Sequence, residues 1–462
     1  MEQSLIIDRE LIARYDRSGP RYTSYPTAVQ FHAGFDETSY RAAATRTNAE
    51  RPQRPLSLYF HIPFCDTLCF YCACNKIATK NRAHAAPYLA HLYRELALQG
   101  ALFDRDRVVD QLHWGGGTPT FISHGQMREL MRVTREHFTL HDDDAGEYSI
   151  EIDPREVHED TVALLRELGF NRMSMGVQDF DPRVQEAVNR FQSEEQTFSV
   201  LNDARTQGFK SVSVDLIYGL PYQSVESFAV TLDKIIDAAP DRLSVFNYAH
   251  LPELFKPQRR INEADLPSAA EKLDILQMSI DRLTAAGYVY IGMDHFARPD
   301  DELARAQREH TLYRNFQGYS THADCDLIGL GVTSIGMVGN TYGQNIKSLE
   351  EYYEAIGAGR LAIHRGVVLD ADDILRRDVI TRLICHFELA MSEIERRHGI
   401  VFAEYFATEL AQLHAMQEDG LLEIDRDAIR VRPVGRLLIR NICMVFDRYL
   451  RAQPGQRFSK VI

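Results

Sequence analysis

Four of the seven cysteines, Cys65, Cys69, Cys72 and Cys74, fall together in the segment HIPFCDTLCFYCACNK, and the first three are spaced C-x3-C-x2-C. Three thiolates on one short loop can bind three irons of a [4Fe-4S] cluster, leaving the fourth iron open to an exogenous ligand. A structural zinc site would need a second Cys or His pair at suitable distance, and Cys325, Cys385 and Cys443 stand far apart. A single residue separates Cys74 from Cys72. That leaves little chain to reach another corner of the same cluster, so Cys74 reads as a thiol beside it. An odd, clustered set of this kind is not a disulfide framework and belongs in a reducing compartment.

A second motif, HWGGGTPT, places Gly115, Gly116 and Gly117 after an apolar run. Without Cβ atoms the backbone there can approach a ligand closely. No Gly-Lys-Ser/Thr follows, and the spacing is not that of a dinucleotide-binding turn. Trp114, the single tryptophan, reads as a packing residue.

These motifs need strands to hold them. From Leu56 onward β-rich runs (LSLYFHI, VVDQLHW, EYSIEID, RMSMGVQ, SVSVDLIYG, RLSVFNYAH and YVYIGMDHF) alternate with helical stretches such as HGQMRELMRVTREHF and EDTVALLRELGF. Repeated βα units predict a parallel sheet. Strands buried on both faces would be continuously apolar, yet here polar residues alternate. Ser57, Tyr59 and His61 oppose Leu58, Phe60 and Ile62; Ser149, Glu151 and Asp153 oppose Ile150 and Ile152. Arg172, Ser174, Gly176 and Gln178 oppose Met173, Met175 and Val177, and Ser211, Ser213 and Asp215 oppose Val212, Val214 and Leu216. Period-two alternation on parallel strands predicts a polar inner surface. The competing reading is a one-sided antiparallel sheet with a wet face, against which the intervening helices count. The expected class is α/β: an incomplete or wide βα barrel with a polar ligand in its lumen and chemistry at the carboxyl ends of the strands.

Residues 1–54 are polar and turn-rich, as in RSGPRYTSYPTA, and read as an arm over the active site. Residues 55–365 form the barrel. Residues 366–462 change to helices (DDILRRDVITRLICHFELAMSEIERRHG and AEYFATELAQLHAMQEDG), then a hairpin LLEIDRDAIRVRP and a helix GRLLIRNICMVFDRYL. This order is winged-helix-like. Such domains bind DNA, but no strong basic run is present, so a structural or substrate-covering role is expected.

The 462 residues carry 52 Lys+Arg against 66 Asp+Glu, a formal charge of −14. That sign argues against nucleic acid as partner, and an anionic ligand would need locally placed arginines. With 45% hydrophobic and 26% charged residues the chain is globular rather than disordered. The sequence shows neither a basic leader followed by an apolar core nor about 20 consecutive apolar residues, so a cytoplasmic protein without membrane contact is expected.

Together, the three-cysteine loop after the first strand, Tyr71 just before Cys72, and the glycine run after the second strand resemble the radical S-adenosylmethionine (SAM) superfamily. Nearly the whole chain resembles one family within it, the oxygen-independent coproporphyrinogen III oxidases (dehydrogenases) of haem biosynthesis. The matching stretches are RYTSYPTA, YFHIPFC, CACNK, HWGGGTPT, SIEIDPRE, MGVQDF, VNR, VDLIYGLP, FNYAHLP, GMDHFARP, RNFQGY and LLIRNIC. The resemblance implies a partial (β/α)6 barrel of radical SAM type, with an N-terminal arm and a mostly helical, winged-helix-like C-terminal domain. It also implies a [4Fe-4S] cluster on Cys65, Cys69 and Cys72 and two SAM molecules. Tyr59, Gly115 and Glu151 match positions touching the first SAM, bound through the open iron. Gly116, Gly117, Tyr71, Gln178, Arg190, Asp215, Ala249 and Ile335 would line the SAM region, most of them at the second molecule. Tyr71 stands where a phenylalanine is familiar, and either ring offers the same stacking face. Cys74 and Glu151 are the residues assigned to catalysis.

The residue types admit these roles. Glu151 and Asp215, on lumen faces, can accept hydrogen bonds from an ammonium or ribose hydroxyls, or each can simply bond a neighbouring loop. Arg190 can pair with a SAM carboxylate, or be the solvated charge that closes a helix. His61, His113 and His295 offer acid–base chemistry or sit as satisfied core histidines.

The implied reaction is oxidative decarboxylation of two propionates of coproporphyrinogen III to vinyl groups, giving protoporphyrinogen IX. An electron from the cluster would cleave SAM to methionine and a 5′-deoxyadenosyl radical, which takes a propionate β-hydrogen; decarboxylation then requires removal of one electron. A reductant such as flavodoxin or ferredoxin, an electron acceptor and a monomeric state are also implied. The rival reading is a radical-SAM-like haem-binding chaperone, but relatives of that kind typically lack the CAC cysteine and the RYTSYP arm, both present here. The cluster motif alone also admits a methyltransferase or another radical SAM enzyme. Arg21, Arg298 and Arg314 are candidates to grip the substrate's propionates.

Overall fold

The computed structural model describes residues 5–452; the first four residues of the arm and residues 453–462 of the C-terminal segment lie outside the described residues. The chain divides into two units that interleave along the sequence. One comprises Phe31–Ile275 and Asp324–Val368; the other comprises the residues up to Gln30, Leu276–Ala323 and the residues from Leu369. The sequence reading has three consecutive segments, whereas here the arm and the central stretch each contribute to both units.

In the first unit, six parallel strands stand in the ladder in chain order: β1 (Leu56–Ile62), β2 (Val108–Gly116), β3 (Glu147–Ile152), β4 (Arg172–Gln178), β5 (Ser211–Tyr218) and β6 (Arg242–Asn247). Between them run α1 (Ala85–Gly100), α2 (His124–His137), α3 (Thr161–Glu167), α4 (Glu194–Thr206) and α5 (Val225–Ala238). Ser123, Ser193 and Ser224 open α2, α4 and α5 with capping boxes that satisfy first-turn amides. On the other side of β1, β7 (Asp326–Leu330) pairs in parallel, and β8 (Ile335–Val338), β9 (Thr341–Asn345) and β10 (Ile363–Val368) continue antiparallel.

The alternation has the expected outcome. Leu58, Phe60, Ile62, Leu112, Trp114, Ile150, Met175 and Val214 are buried, while Tyr59, His113, Ser149, Glu151, Ser174, Gly176, Ser213 and Asp215 on the opposite faces are only partly covered. Trp114 packs edge-on against Phe60 and Phe170. The parallel register excludes the one-sided antiparallel sheet. At the amino end of the strands, buried Asp326 accepts from Arg107 (2.6 Å), Arg54 (2.8 Å) and Thr47 (2.7 Å). This tethers the helix Glu37–Glu50 by a buried charge whose hydrogen bonds are met.

In the second unit, YVYIGMDHF is not one further strand of the βα series. Met293, at φ 56°, lies in the turn of an antiparallel hairpin between Val289–Gly292 and His295–Ala297. The long helical stretch after Asp370 is likewise interrupted. Helix Ala371–His386 ends at Phe387 in the left-handed conformation, and Glu388–Ala390 forms a strand beside Ala428–Val431, which pairs with Leu422–Ile424. Residues 15–22 of the arm are built into this unit: Arg440 donates to the carbonyls of Pro20 (2.9 Å) and Gly19, Asn441 to that of Tyr15 (2.8 Å), and Tyr22 to Asp447 (3.0 Å).

Candidate active site at the carboxyl ends of the strands

The cysteine loop leaves the end of β1 and is closed at its base. Phe64–Cys65 pairs in parallel with Ile77–Ala78, with Ile77 N–H donating to Pro63 (2.7 Å) and Thr79 N–H to Cys65 (2.8 Å). The end of β2 lies directly on it: Gly117 N–H donates to Ile62 (2.8 Å) and Thr118 N–H to Phe64 (2.7 Å). A Cβ on Gly117 would stand 2.6 Å from the Phe64 carbonyl oxygen. Gly117 is therefore required by the loop's own backbone. Cβ atoms at Gly115 and Gly116 would meet the Glu151 carboxylate and the His61 ring, each at 2.8 Å, and Gly116 has φ +114°.

Cys65 and Cys69 are buried, Cys72 is half-buried and Cys74 exposed. Each of the three expected ligands has a donor or cation at hand. Thr118 Oγ1 lies 3.6 Å from Cys65 Sγ, Arg155 Nη2 and Arg190 Nη1 lie 3.6 and 3.7 Å from Cys69 Sγ, and Lys76 Nζ donates to the Cys72 carbonyl (2.9 Å). Burial pushes the Cys65 thiol up to about 11, whereas a hydrogen bond from Cys74, helped by Lys76, draws Cys72 down to about 5 against its burial. Hydrogen-bond donors and cations around sulfur suit an anionic cluster. The donor set thus fits a multi-iron group.

Around this loop the strand ends present charged groups. Glu151, on β3, accepts from Gly116 N–H (3.1 Å) and is bonded to His113 Nε2 (3.3 Å), whose Nδ1 meets Ser149 (2.6 Å). Burial opposes ionisation of Glu151, but these contacts hold its pKa below the usual value. Tyr59 stacks on His113 with centroids 5.8 Å apart, and its hydroxyl is bonded to His61, 3.2 Å away. Asp153 resists burial through two guanidiniums, Arg190 (3.1 Å) and Arg155 (2.6 Å), which pull it to about 2. Arg190 also donates to the Gly176 carbonyl (2.6 Å), while its Nε has no partner among the described residues. Gln178, at φ 70°, likewise has a buried, unpartnered Oε1. Burial raises Asp215 to about 6 despite bonds from Ser244 and Ser174. A buried polar atom without a partner is the kind of feature a bound polar ligand completes.

Tyr71 packs on the apolar cluster of Val184, Val188, Leu220, Tyr248 and Ile261. Ala249 is exposed just past β6, and Ile335 opens β8. The turn before Ile335 is joined to the cysteine loop by Asn75, which donates to Thr333 (3.4 Å). His295 belongs to the other unit. Four neighbours of the thiols were not singled out from the sequence: Arg155, Thr118, Asn75 and Lys76. Each sits inside a matched stretch (SIEIDPRE, HWGGGTPT or CACNK), which was the available signal.

The fold and the thiol loop define the class, a radical SAM enzyme: residues 59–235 match the Radical SAM superfamily model and residues 369–438 the HemN C-terminal domain. Similarity extends over the whole chain. It is 56% identical over 455 residues to the oxygen-independent coproporphyrinogen III oxidase of Pseudomonas aeruginosa (98% of each chain) and 53% identical over 461 residues to that of Escherichia coli K12 (100% of this chain, 99% of the other). The solved structure of coproporphyrinogen III oxidase (HemN) from Escherichia coli, described as a radical SAM enzyme, superposes with a TM-score of 0.92 at 52% identity, covering 97% of this chain and 100% of that one. The chain belongs to the oxygen-independent coproporphyrinogen III oxidase family.

Proposed function

We propose that the chain oxidatively decarboxylates two propionates of coproporphyrinogen III to vinyl groups, giving protoporphyrinogen IX. The observation that carries the reading is the closed three-thiol loop at the end of β1, in a chain similar from end to end to oxidases of that name. Cys65, Cys69 and Cys72 would hold the [4Fe-4S] cluster. With SAM bound, that centre supplies a carbon-centred radical able to take a hydrogen from an unactivated C–H bond.

The chain's own residues bind and orient. Glu151, kept ionised by His113 and Gly116, is an acceptor for the amino group of the first SAM, beside Tyr59 and Gly115. Arg190, braced by Asp153 and the Gly176 carbonyl, offers its free Nε to a carboxylate. Gln178 and Asp215 add polar partners, and Tyr71 an apolar wall, for a second SAM. Gly116, Gly117, Ala249 and Ile335 complete the lining. Cys74 stays outside the ligand set as an exposed thiol, near enough to feel the charge of Glu151. A reductant of flavodoxin or ferredoxin type, a separate electron acceptor, a monomer and a cytoplasmic setting complete the reading. Among the described residues no helix is long and apolar enough to cross a membrane.

The test is anaerobic turnover of coproporphyrinogen III with SAM and a reductant, followed by product mass. Two losses of carbon dioxide with matching 5′-deoxyadenosine formation are expected. Haem binding without either product would favour the chaperone.

A further inference from the structure

Three arginines are candidates for the substrate's carboxylates, and the second unit separates them. Arg21 is already ion-paired with Asp294. Arg298 is half-exposed and faces Asp300 at 3.9 Å. Arg314 differs from both. It lies on the strand Tyr313–Asn315, paired with Gly318–Ser320, and is only 6% exposed, yet its Nε and Nη1 have no hydrogen-bond partner among the described residues. Its register partner Tyr319 lies beneath the guanidinium, whose central carbon sits 4.7 Å from the ring centroid. A cation–π contact offsets only part of the cost of taking a guanidinium out of water.

A second guanidinium lies within electrostatic reach. Arg440 is also buried, with its donors on the carbonyls of Gly19 and Pro20. Burial, and to a lesser degree the charge of Arg314, lowers Arg440 to about 10. Cys385, which also senses Arg314, keeps a raised thiol pKa because it is buried and so supplies no negative charge near neutral pH. Two buried guanidiniums close enough to repel, one with N–H groups unspent, form a receptor for an anion. Guanidinium geometry suits a carboxylate.

We propose that Arg314 binds a propionate carboxylate of the tetrapyrrole substrate, one of the groups that orients the macrocycle. The assignment rests on the functional reading above for the identity of the substrate. It makes Arg314 a substrate-binding residue rather than a part of the cluster or of the SAM site.

Coproporphyrin III, the fluorescent oxidised form of the substrate, is the probe. Titrated into the cluster-loaded protein, it should bind at least tenfold more weakly to Arg314→Gln than to the unaltered chain, with iron content and SAM affinity unchanged. Its tetramethyl ester should bind the unaltered protein at least tenfold more weakly than the free acid; equal affinity of acid and ester overturns the proposal without any variant. A buried charge without a counter-ion destabilises the ligand-free fold, so ligand-free Arg314→Met should melt at or above the unaltered protein, and a large drop would mark a structural arginine instead. Loss of SAM affinity with porphyrin affinity spared would assign Arg314 to the carboxylate of SAM and equally overturn the proposal. Failure of the unaltered protein to convert coproporphyrinogen III would sink the functional reading. Normal conversion with unchanged porphyrin binding in Arg314→Gln would sink only this inference.

Discussion

Glu95 gives the sharpest test of the buried chemistry around the site. It lies on α1, fully buried, and its carboxylate takes three donors: Gly331 N–H (2.7 Å), the Tyr352 hydroxyl (2.7 Å) and Asn345 Nδ2 (2.6 Å). It thereby anchors the turn between β7 and β8, whose Thr333 receives Asn75 of the cysteine loop. Burial outweighs these three bonds and lifts Glu95 from 4.5 to about 7. A carboxyl more acidic in the unfolded chain than in the fold costs no stability below the unfolded value. The cost grows as pH rises between the two values and is full above the folded one. At about 1.4 kcal/mol per tenfold change in proton affinity, the full cost is roughly 3 kcal/mol, of which about 2 kcal/mol develops between pH 5.5 and 8. Glu95→Gln removes that titration. Its amide must present N–H to one of three donors, which costs about 1–3 kcal/mol at every pH. The offset between the two proteins depends on this misfit, but the pH dependence of their difference does not. Melting temperatures measured side by side should therefore shift by roughly 2 °C in favour of Glu95→Gln between pH 5.5 and 8. Parallel curves across that window would refute a carboxyl raised by burial.

Ser substitution of Cys65, Cys69 or Cys72 should abolish the cluster after anaerobic reconstitution, while Cys74→Ser retains it; iron analysis and EPR decide, and cluster loss in Cys74→Ser would overturn the ligand set. Gly117→Ala places a Cβ against the Phe64 carbonyl, backbone on backbone, and should cost about 1–3 kcal/mol and lower iron per chain. Gly125→Ala, whose Cβ would meet nothing closer than 3.9 Å, is the control and should leave both unchanged. Arg190→Met removes one of the two cations that hold Asp153 down and the free Nε, so SAM affinity by equilibrium dialysis should fall ten- to hundredfold. Unchanged affinity would return Arg190 to a purely structural role.

The chemistry-bearing loop was legible because its signal is local. Thiols at C-x3-C-x2-C must share one loop whatever the rest of the chain does. The polar lumen face was legible for a similar reason: a strand turns alternate side chains to opposite faces, so Glu151 and Asp215 were committed to one side by their neighbours. Where the pattern was ambiguous, the sequence reading erred. A glycine followed by MD in YVYIGMDHF reads as a continuing strand until Met293 takes positive φ, and FELA reads as helix until Leu389 finds Ile429 across a ladder.

What the sequence determined alone was therefore composition, period and short-range spacing: the grouping of three thiols on one loop, the parallel βα order and the inward polar faces. Only the tertiary structure decided which charges meet. Asp153 is strongly acidic because Arg190, 37 residues away, folds onto it, and a side chain at Gly117 is costly because the backbone at Pro63 and Phe64 passes against it. The same holds for Arg314, which reads like any arginine in RNFQGY until burial without a carboxylate sets it apart from Arg21 and Arg298. Electrostatic energies depend on distance and on the exclusion of water, and neither is written in the order of residues along the chain.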